Sequence, residues 1–181
     1  MVEKLKEEYN VEVEWRPFYL YFDTPPKGRE LPEHVKRARA SGSEERLQHI
    51  AQSYGMEFQS TKRIYNTRLA HEATEYAREH GKANEFHRIL FHEIYARGKD
   101  PGQWDTLRMA AQEAGLDGEA MQKDVESEKY TENVAEQVKW AYQIGVSGVP
   151  TYVINNRYAI VGAQPYEVFK NALSRIMSEK T

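Results

Sequence analysis

Apolar positions follow two regimes along the chain. Across residues 44–144 they recur three and four apart. Leu47, Ile50, Ala51 and Tyr54 form one set; Leu69, Ala70, Ala73, Tyr76 and Ala77 a second; Phe86, Ile89, Leu90 and Ile94 a third. Trp104, Leu107, Ala111 and Ala114 follow, then Met121 with Val125, then Val134, Val138, Ala141 and Tyr142. This spacing matches the 3.6-residue turn and predicts a block of amphipathic helices. Gly55, Gly81, Gly98, Gly115 and Gly145 each stand where a periodic run stops, as glycines just past a helix end do. Asn66, Asp117 and Thr131 are expected N-caps.

Outside that block the pattern shortens. Residues 2–9 are helix-like, with Leu5 and Tyr9 four apart. Residues 11–15 read Val-Glu-Val-Glu-Trp, a strict alternation that predicts a strand with one wet face, ended by Pro17. Residues 24–28 are a loop, and residues 31–40 a short helix broken by Ser41-Gly42-Ser43. After Gly145, Gly148-Val149-Pro150 re-aims the chain into a β-rich run, Thr151–Ile154. Asn155-Asn156 turns it, residues 158–161 make a second strand, and Gly162 ends that strand. Pro165 opens a closing helix with Val168, Phe169, Ala172, Leu173 and Ile176 on one face.

The order is therefore helix, strand, helical block, hairpin, helix. The run GVSGVPTYVINNRYAIVGAQPYEVF resembles the C-terminal half of the DsbA-like thioredoxin-fold oxidoreductases, most closely their FrnE-like branch. Trp15-Arg16-Pro17-Phe18, Asn66-Thr67-Arg68 with Ala70-His71, and Ala114-Gly115-Leu116-Asp117 extend the likeness in the family's order. It implies an α/β, thioredoxin-like (DsbA-like) fold with an inserted helical domain. The thioredoxin-like part would comprise residues 1–31 and 131–181, and the insertion residues 32–130. It also implies a cis-proline at Pro150 beside the redox site, although an X-Pro bond by itself favours trans. Activity in the family is thiol–disulfide oxidoreduction or protein-disulfide isomerisation.

The departures from the family bear on function. Members open with a strand and a Cys-x-x-Cys motif at the start of the first helix; Met1 here aligns with later turns of that helix, so strand and motif are missing. The chain contains no cysteine. Disulfides, thiolate metal sites and dithiol exchange all need that sulfur, so the chain as written is expected to be inactive in the family's reaction. An N-terminally truncated member is one reading. Loss of the opening strand would leave the neighbours at residues 11–16 and 151–154 unpaired, so the sheet should either close by pairing them directly or borrow a strand from another chain.

Composition narrows the classes further. With 40% hydrophobic and 29% charged residues and a formal charge of −3, the chain has ordinary soluble composition. No apolar run spans a bilayer and no signal pattern opens the chain, which predicts a cytoplasmic protein without membrane association. Lys36-Arg37-Ala38-Arg39 is too short a basic cluster for nucleic-acid binding. No cofactor is implied. His87 and His92, five apart, lie about 140° around a helix from each other, so no metal site is expected. Carboxylate pairs such as Glu44-Glu45 read as helix surface, and no catalytic residue is assigned. The candidate binding residues are Gly148, Val149, Pro150 and Thr151, where the family's turn exposes backbone to an extended peptide or protein substrate. The alternatives are an assembly module that forms homo-oligomers through the incomplete sheet, or a relative of the glutathione-using isomerases and transferases.

Overall fold

The computed structural model describes residues 2–178. The backbone divides into two compact units, Met1–Leu20 with Gln137–Thr181, and Tyr21–Glu136.

The larger unit is built on helices α4 (Arg68–Glu79), α5 (Ala83–Tyr95), α6 (Trp104–Glu113) and α7 (Gly118–Glu126). Each packs on the next, and α7 returns to α4. Phe86, Leu107, Ala73, Ala77, Ala110, Ala111 and Met121 are fully enclosed, so the predicted faces of these helices meet in one core. Small residues let the helices close up. A Cβ at Gly118 would come within 3.1 Å of the Arg108 carbonyl oxygen, so glycine lets the start of α7 lie close against α6. Asp117 caps α7, accepting from the N–H groups of Glu119 and Ala120 at 3.0 Å.

Two expected caps behave differently. Thr67, not Asn66, sits at the cap of α4, and the Asn66 amide donates instead to the Thr24 carbonyl at 2.6 Å. Thr131 is the first residue of α8 (Thr131–Gln143) instead of its cap, and its hydroxyl donates to Glu72 at 3.0 Å. Asn66 serves both ends, since its Oδ1 also accepts from the Arg68 N–H at the start of α4 at 3.0 Å, whereas the Thr131 hydroxyl is drawn to a carboxylate far away in sequence.

The same unit contains an arm closed by two short strands that the sequence pattern does not reveal. Strand β1 (Arg29–Glu30) pairs antiparallel with β2 (Arg63–Ile64), closing the base of the stretch between them. Gly28 turns into β1 with φ +69°, and a Cβ there would lie 2.5 Å from the Ile64 carbonyl oxygen. Within the arm, α2 (Glu33–Ala38) runs through a π-type turn at Arg39–Ser43, where Gly42 adopts φ 92°, into α3 (Glu44–Ser53).

The smaller unit holds α1 (Val2–Glu8), the hairpin β3 (Thr151–Ile154) with β4 (Tyr158–Val161), α9 (Tyr166–Ser178) and the last turns of α8. Its core is Leu5, Ile160, Phe169 and Leu173, flanked by Val11, Tyr152 and Ile154. The expected strand at residues 11–15 is corrected here: it is irregular chain without a β-ladder among the described residues. Side-chain alternation survives, since Val11, Val13 and Trp15 are half-buried while Glu12 and Glu14 are exposed. Alternation decides which face turns inward; a ladder needs a neighbouring backbone in register, and β3 pairs only with β4 among the described residues. The sheet has therefore not closed by pairing residues 11–16 with β3.

Candidate functional site

Gly148, Val149, Pro150 and Thr151 lie together as the turn that feeds β3. The Val149–Pro150 peptide bond is cis. Thr151 Oγ1 donates to the Gly148 carbonyl at 2.7 Å, bridging the turn, and Gly162 N–H donates to the Pro150 carbonyl at 2.8 Å, tying the turn to the end of β4. Val149 is 55% exposed, and nothing lies within 4 Å of where a Gly148 Cβ would stand. The turn is held firmly from below and open above.

The hydrogen-bonding phase of the hairpin follows from that last bond. The register pairs Thr151 with Val161, Tyr152 with Ile160, Val153 with Ala159 and Ile154 with Tyr158. Since Pro150 and Gly162 form a bonded pair, alternation along an antiparallel ladder makes Tyr152 and Ile154 the β3 residues that bond to β4. Thr151 and Val153 then turn their N–H and C=O groups to the opposite edge, where no strand pairs among the described residues. Asn155 and Asn156 hold the tight end at φ 53° and 54°, a region asparagine tolerates.

The two faces of the hairpin also differ. Tyr152 packs edge-to-face on Phe169, with centroids 4.7 Å apart, and Ile160 is buried beside it. The opposite face presents Thr151, Val153, Ala159 and Val161, of which Val161 is largely exposed. An extended chain laid along β3 would meet paired hydrogen-bond groups at the edge and an apolar surface beside them. No carboxylate, lysine or histidine stands in the turn itself, so its chemistry is that of backbone recognition.

Three histidines lie elsewhere in local contacts, while His34, His49 and His92 are exposed. His80 Nδ1 lies 2.8 Å from the Tyr76 carbonyl and its ring stacks on Tyr76; His87 stacks on Phe91 at 4.2 Å; His71 Nε2 is 3.2 Å from Thr67 Oγ1. Burial and the nearby Arg78 push His87 down to about 4. Among the described residues no three His, Asp or Glu side chains gather as a metal-ligand set.

Buried carboxylates are the feature that sequence reading missed. Glu72 and Glu75 on α4 are almost fully enclosed. Arg68 Nη1 contacts both Glu72 oxygens at 2.9 and 3.0 Å, and Thr131 Oγ1 adds 3.0 Å. Arg78 holds Glu75 at 3.1 Å. The Arg68–Glu72 spacing of four was a readable signal, but it marks a helix pair whether exposed or buried. A second unpredicted feature is a cleft of about 380 Å³ lined by Gln48, Gln52, Met56, Glu57, Phe58 and Gln59.

Comparison with known proteins gives one family and several relatives. Residues 1–174 match the family described as DSBA-like thioredoxin domain. The chain is 29% identical over 174 residues to the uncharacterized protein YwbO of Bacillus subtilis (strain 168), covering 94% of this chain and 85% of that protein. A probable DsbA oxidoreductase from Streptomyces coelicolor superposes with a TM-score of 0.69 at 28% identity, over 79% of this chain and 62% of that one. This chain thus spans less than two thirds of the Streptomyces protein's length. A 2-hydroxychromene-2-carboxylate isomerase superposes with a TM-score of 0.79 over 99% of this chain and 88% of that one, at 20% identity, a likeness of fold alone. The fold is DsbA-like and thioredoxin-type: α/β, helix-rich, with small sheets.

Proposed function

Because the chain belongs to the DSBA-like thioredoxin domain family, we propose that it is a FrnE-like, cytoplasmic member that recognises an extended peptide without itself exchanging dithiols. The family connection is to oxidoreductases, as the Streptomyces relative is described. Thiol–disulfide exchange needs an attacking thiolate, and these 181 residues include no cysteine to provide one. What supports peptide binding is the outward edge of β3, where Thr151 and Val153 direct backbone groups away from β4 beside the exposed Val149. A peptide strand pairing there gains hydrogen bonds along its main chain and contact with Val153 and Val161 through alternate side chains.

The test is titration of isotope-labelled protein with an uncharged extended peptide, read at the backbone amides. Thr151 and Val153 amides are expected to shift and to exchange more slowly. Val153→Pro removes one outward donor and no β3–β4 bond, so it should weaken binding by about tenfold, the loss of roughly one good hydrogen bond. Amide positions at Val149, Thr151 and Val153 that stay fixed at saturating peptide would sink the reading.

A further inference from the structure

The base of the arm gathers positive charge that is scattered along the sequence. Residues 23–39 and 60–64 together hold seven lysines and arginines against three carboxylates, in a chain whose formal charge is −3. Two of those cations match all three carboxylates: Arg29 pairs with Asp23 at 3.1 Å, and Lys36 with Glu33 at 2.9 Å and Glu30 at 3.6 Å. Lys27, Arg37, Arg39, Lys62 and Arg63 pair with no carboxylate among the described residues. Arg39 Nη1 donates instead to the Thr61 carbonyl at 2.7 Å, next to Lys62, and Arg63 Nη2 donates to the Lys27 carbonyl at 3.1 Å. Lys36-Arg37-Ala38-Arg39 is too short a basic run by itself; the pairing of β1 with β2 sets Lys62 and Arg63 beside it.

An exposed ring stands at the same place. Phe22 is 76% exposed, more than any other large apolar side chain among the described residues. It lies between Tyr21 and Asp23, and Arg29 touches both, its guanidinium 4.8 Å from the centre of the Tyr21 ring. Arg29 in turn pairs across the ladder with Ile64, the residue after Arg63.

From this we propose that the base of the arm binds single-stranded nucleic acid, with phosphates on Lys27, Arg39, Lys62 and Arg63 and a base stacked on Phe22. A guanidinium fixed by a carbonyl oxygen keeps its charge uncancelled, and its remaining N–H donors suit phosphate oxygens. Phosphates neutralised in this way release counterions whatever the sequence. An exposed aromatic ring adds stacking, which every base can supply and which a duplex withholds. An acidic peptide would satisfy the cations and leave Phe22 unused.

The experiment is fluorescence anisotropy of a labelled oligothymidylate of about 16 nucleotides titrated with the full chain. Binding is expected at low salt, and its constant should fall with salt at a log–log slope of about −3, as for four phosphates of a single strand. Lys27→Gln combined with Lys62→Gln, at two exposed lysines, should about halve that slope with circular dichroism unchanged. Phe22→Ala should weaken binding about tenfold at the same slope. Lys123→Gln combined with Lys139→Gln, exposed lysines on α7 and α8, should alter neither. An oligonucleotide that fails to bind at low salt would overturn the proposal, as would full binding by the Lys27 and Lys62 double variant or unchanged affinity in Phe22→Ala. Polyglutamate bound as tightly as oligothymidylate would assign the patch to an acidic protein, and phosphatidylserine vesicles bound in preference would assign it to a membrane; either result overturns it too.

Discussion

The two units bury their apolar surface in opposite ways. In the larger one, four helices surround a core of sixteen buried residues, with Glu72, Glu75 and Glu93 enclosed among them and paired to Arg68, Arg78 and Arg97. In the smaller one the core cluster has four buried residues among those described, and no strand among them pairs with either edge of the hairpin, whose outer face exposes Ala159 and Val161. Burial on one side is enough to hold β3 and β4 on α9, because Phe169 and Tyr152 contribute large contacts. The contrast places the larger core in the helical unit, and the unpaired edge that the proposed peptide binding uses in the thin one.

Matched truncations would test that contrast most severely. Phe86 and Phe169 are both essentially unexposed. Replacement of either by alanine should cost about 3–5 kcal/mol locally. Phe169→Ala is expected to strip hydrogen-exchange protection from the hairpin and α9 while α4 to α7 keep theirs. Phe86→Ala is expected to lower the protection of α4 to α7. Loss of protection everywhere in both variants would show a single cooperative body and remove the contrast.

A smaller effect separates the units by pH. His87 belongs to the helical unit, and its folded pKa of about 4 lies below the ordinary 6.5, chiefly through burial. Between those values the unfolded chain binds the extra proton, so stability falls as pH drops from 6.5 towards 4 and levels off below. The expected loss is at most about 3 kcal/mol, and His87→Phe, which keeps the stack on Phe91, should flatten that slope in denaturant titrations. Slopes of equal size in wild type and variant between pH 6.5 and 5 would contradict the assignment. Smallest is the cap: Asp117→Ala should cost about 1 kcal/mol and fray the first turn of α7, visible as faster exchange at Glu119 and Ala120.

The helices from α4 onward were legible because their information is local. Phe86, Ile89, Leu90 and Ile94 declare one face of α5 by spacing, and all four are buried. Gly81, Gly115 and Gly145 adopt positive φ at the predicted helix ends. The β3–β4 hairpin was equally readable, its turn residues lying between two short β-rich runs. The turn at Gly148–Thr151 could be named in sequence, whereas its open edge could not, since exposure depends on which strands arrive beside it.

What the sequence alone determined, then, is periodicity, chain punctuation and the absence of any sulfur nucleophile in these residues. The tertiary structure decided which predicted faces found partners. The stripe of α5 is covered and the similar stripe of α3 is open. The alternation at residues 11–15 turns side chains inward without recruiting a ladder. Thr131 and Asn66 donate to Glu72 and Thr24, far away in sequence, even as Asn66 Oδ1 accepts from the neighbouring Arg68 N–H. A residue's spacing fixes which way its side chain points relative to its neighbours in the chain; what it meets there is set by backbone many residues distant, which no local pattern encodes.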